Sequence, residues 1–104
     1  MANYQKIKGT QDFYDLSARK LTFIENFASE VATNYGCKHI ITPIFEGTEV
    51  FVKNVGEDSD VVTKEMYTFL DKGNRSITLR PEGTAGVTRS FLENKLYVAD
   101  IVFL

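Results

Sequence analysis

The stretch Leu79-Arg80-Pro81-Glu82-Gly83-Thr84 constrains this chain most. Alternation in residues 76–80 reads as a strand, with Ile77 and Leu79 on one face and Ser76, Thr78 and Arg80 on the other. Pro81 stops that strand, and Thr84 is placed to cap a helix that follows at once. The turn puts one carboxylate, Glu82, and one hydroxyl, Thr84, at the mouth of a sheet, with Gly83 between them. An ammonium has three donors and no acceptor, so a carboxylate beside a hydroxyl suits it. Gly83 lets a ligand approach the backbone closely. Taken alone, the six residues are better read as an ordinary strand-to-helix turn.

Other elements follow from periodicity and punctuation. Residues 1–16 form an arm, with a short extended piece at 6–10 and a turn at 12–15 that buries an aromatic. Ser17 to about Tyr35 is a helix capped by Ser17, with an apolar stripe through Leu21, Ile24, Ala28, Val31 and Tyr35. Gly36 ends it with a left-handed cap. Cys37–Thr42 reads as a strand closed by Pro43, and Ile44-Phe45-Glu46-Gly47 as an extended link. Thr48–Val55 reads as a short helix capped by Thr48, followed by the acidic loop Glu57-Asp58-Ser59-Asp60, a solvated turn rather than a metal site. Met66–Leu70 and Ser76–Arg80 form a hairpin across residues 71–75. A helix from Thr84 to about Lys95 uses Val87, Phe91 and Leu92 as its apolar side. Tyr97–Leu104 is strand-like, and its open edge invites pairing with another chain, so dimers or larger species are expected.

Composition excludes several classes. The chain has 104 residues, 43% of them hydrophobic, and a net charge of −2, so no basic footprint argues for nucleic-acid binding. The single cysteine, Cys37, forbids an intrachain disulfide and fits a reducing cytoplasm; it reads as a packed residue, not a nucleophile. His39 lacks the companions of a metal site, and no apolar run approaches the roughly 18 residues of a membrane span. Arg80 is expected to pair with a carboxylate near its strand end. The Lys64-Glu65 pair reads as solvated, and Tyr67 and Phe69 as core or interface.

In order and spacing, several segments resemble the bacterial-type histidyl-tRNA synthetase family, a class II aminoacyl-tRNA synthetase. They are Lys8-Gly9-Thr10-Gln11-Asp12, Thr42-Pro43-Ile44-Phe45-Glu46, Val55-Gly56-Glu57, Asp60-Val61-Val62, Lys64 to Phe69, Asp71-Lys72-Gly73, Leu79 to Gly86 and Glu93-Asn94-Lys95-Leu96. The likeness covers about residues 5–97. It implies an α+β fold, a mostly antiparallel sheet flanked by helices, of which residues 1–104 are the N-terminal part of the catalytic domain. Motif 1 of the class is implied at the long helix and the strand ending at Pro43, with Tyr35, Ile40, Ile41 and Pro43 at a homodimer interface. Glu82, Gly83 and Thr84 are implied to hold the α-amino group of L-histidine.

The same resemblance implies an enzyme that uses ATP, with magnesium, to make histidyl-adenylate and then charges the histidine tRNA. It places the arginines of motifs 2 and 3, the histidine signature and the anticodon-binding domain beyond residue 104. No catalytic and no metal-binding residue is therefore expected here, and this piece alone is expected to be inactive. The text departs from the family after Tyr97, where it turns apolar without a polar linker, and at Leu70, where a charged residue is commoner. Two other readings stand beside the enzyme: a non-catalytic synthetase-like protein that binds histidine and regulates, and a structural dimer module.

Overall fold

A computed structural model describes residues 3–55, 65–98 and 102–103. The chain divides into two units, Met1–Tyr35 and Gly36–Leu104.

The first unit is dominated by helix α1, Asp15–Asn34. Its start lies two residues before the expected one. Ser17 sits in the first turn, where its hydroxyl accepts from the Tyr14 amide at 3.1 Å and donates to the Tyr14 carbonyl at 2.8 Å. It thus closes the helix entrance from inside rather than capping it from outside. At the other end the Tyr35 amide returns to Val31 and Ala32, and Gly36 takes a φ of +85°, as a left-handed stop requires. The expected buried aromatic of the arm is not found, since Phe13 and Tyr14 are exposed. Leu21, Ile24 and Val31 are exposed as well, so the apolar stripe of α1 is uncovered.

The described residues of the second unit form two sheets. Strand β1, Cys37–Lys38, pairs in parallel with β5, Val102–Phe103. The expected strand over 37–42 is therefore only two residues long, and the terminal strand finds its neighbour within the chain. The larger sheet is antiparallel, with β2, Phe45–Gly47, beside β4, Ser76–Leu79, and β4 beside β3, Thr68–Leu70. Residues 44–47, expected as a link, thus supply an edge strand, led in by the Arg80 amide donating to the Ile44 carbonyl at 2.9 Å. Helix α2, Thr48–Val55, has the expected bounds. Helix α3, Thr84–Glu93, follows the turn at Pro81 and leads to a short 3-10 helix, Leu96–Val98. The acidic loop at 57–60 and the Lys64 position lie outside the described residues.

The hairpin loop is built on Asp71. Its carboxylate accepts from the amides of Gly73 at 2.8 Å and Arg75 at 2.9 Å, and from Arg75 Nε at 2.8 Å. The Arg75 amide above all, with the Gly73 amide and the Arg75 side chain, holds the carboxyl below its usual range, against a desolvation that pushes it up.

Register decides which sheet face is covered. Glu46 pairs with Thr78, and Thr78 with Thr68, so these three share a face. Glu46 and Thr78 are buried there, Thr78 completely. The opposite face carries Phe45, Phe69, Ile77 and Leu79, with Phe45 and Phe69 in edge contact at 6.5 Å, and it is largely exposed. The usual polarity is inverted: the helices sit over the polar face. Its satisfaction explains how that is tolerated. The Thr78 hydroxyl donates to Thr48 at 2.9 Å. Each hydroxyl has one proton, so Thr68 donates to Thr78 at 2.9 Å, and Thr48 and Ser76 share a hydrogen bond of 2.6 Å. Phe51 of α2 is the large apolar side chain buried in this layer, at 1% exposure.

Candidate functional site

The turn from β4 to α3 builds the site. Gly83 is the residue at the helix entrance, with φ −98° and no side chain to cap it. Glu82 does the capping. One oxygen, Oε2, accepts from the Thr84 amide at 2.6 Å, and Oε1 accepts from the Ala85 amide at 3.0 Å. The expectation that Thr84 caps the helix is thereby corrected: Thr84 is its first residue, and two orphan amides of the first turn take the longer carboxylate instead. The carboxylate also answers the positive end of the helix. A carboxylate has about four acceptor positions, and two remain. Thr84 is exposed, and its hydroxyl has no protein partner among the described residues. A Cβ added at Gly83 would meet nothing within 4 Å, so the missing side chain leaves open space in front of the turn.

Beside this turn lies a groove of about 620 Å³. Its walls are Ile40, Ile41 and Thr42 on one side and Gly83, Thr84, Val87 and Thr88 on the other, with Arg80 between them. Arg80 donates through NH1 to the Thr42 carbonyl at 3.4 Å. That corrects its expected pairing with a carboxylate, which no ion pair among the described residues supplies. The residues expected at a dimer interface are spread. Tyr35 is an exposed cap on α1, Ile40 and Ile41 line the groove, and Pro43 is exposed ahead of β2. Cys37 is half-buried.

A second cluster lies on the other side of α3. Glu46, 8% exposed, receives a two-pronged contact from Arg89: Nε to Oε1 at 3.0 Å and NH2 to Oε2 at 3.1 Å. Arg89 NH1 donates to Glu93 at 2.6 Å. Glu46 first and Glu93 second hold the guanidinium above its ordinary value. Gly86 makes the approach feasible, because a Cβ there would lie 3.2 Å from Glu46 Oε2 and 3.4 Å from Thr42 Oγ1. This pair was missed in the sequence, where Glu46 sits among apolar neighbours and Arg89 is 43 positions away. The signal available was a small residue, Gly86, one turn before a cation inside a helix.

Among the described residues no group of three or more His, Cys, Asp or Glu side chains could hold a metal ion. None of their helices is long and apolar enough to cross a membrane. The three-stranded antiparallel sheet under two helices is an α+β fold of the synthetase kind. Its likeness to the apo S. aureus histidyl-tRNA synthetase has a TM-score of 0.76 at 45% identity, over 93% of this chain and 25% of that one. A model of the histidyl-tRNA synthetase family matches residues 9–97. A histidine–tRNA ligase of Thermosipho melanesiensis is 59% identical over 93 residues, 89% of this chain and 22% of the relative. The chain belongs to the histidyl-tRNA synthetase family. A Bacillus halodurans protein described as an ATP phosphoribosyltransferase regulatory subunit/histidyl-tRNA synthetase shares the fold, with a TM-score of 0.74 at 22% identity over 95% of this chain and 25% of that one. The chain spans under a quarter of the length of the curated histidine–tRNA ligases it matches, 22% and 23% for two of them.

Proposed function

We propose that these residues are the N-terminal part of the catalytic domain of a class II enzyme that activates L-histidine with ATP and transfers it to the histidine tRNA. One observation carries the reading. Glu82 is fixed by two helix amides, with acceptor positions to spare, in a turn whose next two residues, Gly83 and Thr84, line a groove. Glu82, Thr84 and the open space at Gly83 would take the α-ammonium of histidine, which leaves the histidine carboxylate free to attack the α-phosphate of ATP. Pyrophosphate leaves, and the acyl group of the adenylate then passes to a ribose hydroxyl of the tRNA as AMP leaves. The developing phosphate charge needs cationic groups. Among the described residues no group of three or more His, Cys, Asp or Glu side chains fits the magnesium that accompanies ATP.

The reading is tested by joining the chain to the remaining length of the Thermosipho melanesiensis relative. The folded fusion is expected to catalyse histidine-dependent exchange of pyrophosphate into ATP. A folded fusion that binds histidine without exchange would support the regulatory alternative instead. One that does neither would leave the structural module.

The same reading includes a cytoplasmic homodimer, built in part on Tyr35, Ile40, Ile41 and Pro43. The uncovered apolar stripe of α1 favours it, since exposed apolar surface of that kind marks contact sites. Light scattering is expected to give at least twice the 11.8 kDa of the chain. A monodisperse monomer at high concentration contradicts the dimer.

A further inference from the structure

We propose that Glu46 and Arg89 are positioning residues, a pair that sets the rotation and depth of α3 and so aims Glu82, Gly83 and Thr84 at the amine. The inference rests on the reading of the turn given above. Its substance is a division of α3 into two faces. At about 100° per residue, Ala85, Gly86 and Arg89 cluster on one side, and Thr84, Val87 and Thr88 lie about 150° around from them. Ala85 and Gly86 are buried, and Arg89 reaches Glu46 of β2. The other side lines the groove. Any roll of the helix against β2 would therefore swing the Thr84 hydroxyl across the groove and drag the amides that hold Glu82.

What prevents the roll is geometric. A guanidinium bound through two nitrogens to both oxygens of a carboxylate fixes a plane, where a single point contact fixes only a distance. Glu46 is itself held within a strand and nearly enclosed, at 7% side-chain exposure. Gly86 brings the helix backbone so close that an added Cβ would stand 3.2 Å from Glu46 Oε2. Depth is set by that approach and rotation by the fork. Burying such a pair contributes little net stability compared with an apolar pair of the same volume. Its use is better sought in register than in strength. Thr42 ties the two faces together, since it stands near Gly86 and also lines the groove.

The experiment uses the 104-residue chain with isotope-labelled amides. Three variants are compared with the wild type: Arg89→Lys, which keeps the charge and loses the fork; the apolar pair Glu46→Leu with Arg89→Met; and Gly86→Ala, which presses on Glu46. Two readouts are taken, hydrogen exchange and shifts of the Thr84 and Ala85 amides of the chain without ligand, and titration with L-histidine of the same variants in the fusion with the remaining length of the Thermosipho melanesiensis relative. In Arg89→Lys and in the apolar pair, exchange at these two amides is expected to rise about tenfold, the equivalent of one contact of about 1.4 kcal/mol. Histidine affinity is expected to fall by about the same factor, while the apolar pair melts close to the wild type.

A merely structural pair gives the opposite pattern: melting falls in every variant while the two amides keep their wild-type shifts. That result overturns the proposal. Equal histidine affinity in wild type and Arg89→Lys, with unchanged amides, overturns it too, while leaving the amine reading intact. A wild type that shows no saturable response to histidine sinks the amine reading, and the amide readout then still decides whether the pair aims the turn. If Gly86→Ala leaves the Thr84 and Ala85 amides untouched, depth is not set at Gly86 and the proposal fails on that point.

Discussion

Replacing Phe51 with alanine is expected to destabilise the unit of residues 36–104 by about 3–5 kcal/mol, the range for deleting a buried aromatic. Phe51 lies at 1% exposure in α2, and the small Ala85 is buried at 6%. The sheet face below them contributes Glu46 and Thr78, which are polar. Apolar burial in this layer therefore rests heavily on one ring. A domain holds about 5–15 kcal/mol in total, so the loss would bring the variant near its unfolding midpoint. Phe51→Leu keeps most of the volume and is expected to lose less than about 1.5 kcal/mol. Urea unfolding followed by circular dichroism separates the two variants. Should Phe51→Ala unfold within about 1 kcal/mol of the wild type, α2 is not docked as described, and the thin layer over the polar sheet face is held by its hydroxyl chain and ion pair instead.

The legible parts of this fold are those governed by local chemistry. Helix α1 ends at Gly36 because a left-handed residue was needed there, and the sequence supplies a glycine. Helix α2 and the hairpin around Asp71 were likewise readable, because a short apolar period and a turn-forming carboxylate act over a few residues. What was not legible depends on distant partners. Residues 45–47 form a strand only because β4 lies beside them, and Glu46 can be buried there only because Arg89 arrives from α3. A carboxylate between Phe45 and Gly47 argues locally for exposure. Residues 39–42 leave the strand pattern to wall a groove, although Ile40 and Ile41 favour a strand. At the turn from β4 to α3, the strand stop and the helix start were readable, whereas the division of labour between Glu82 and Thr84 was not. A threonine after a glycine looks like a cap, yet Glu82 reaches the helix amides first.

That division of labour makes Glu82 the most informative single position under the proposed function. Glu82→Ala removes a cap, worth about 1 kcal/mol of stability. It also exposes an incoming ammonium to the uncompensated positive end of α3, where a cation is disfavoured. Each charge-assisted contact to the amine is worth about 1.5–3 kcal/mol, so histidine affinity is expected to fall about 10- to 150-fold in the fusion with the remaining length of a relative. Glu82→Gln separates the two effects. Its carbonyl oxygen still accepts from a helix amide, so melting is expected to stay close to the wild type, whereas the charge that attracts the ammonium is gone. Calorimetric titration with L-histidine, run beside thermal melts, reads both quantities. The expected pattern is weak binding in both variants and lowered melting in Glu82→Ala alone. Weak binding together with lowered melting in both would mean that the glutamine fails as a cap, and a titration of Thr84→Val, which removes the hydroxyl and leaves the cap intact, then carries the test. Wild-type affinity in Glu82→Gln would show that the carboxylate serves the helix and not the amine, and the histidine site would have to be sought elsewhere in the protein.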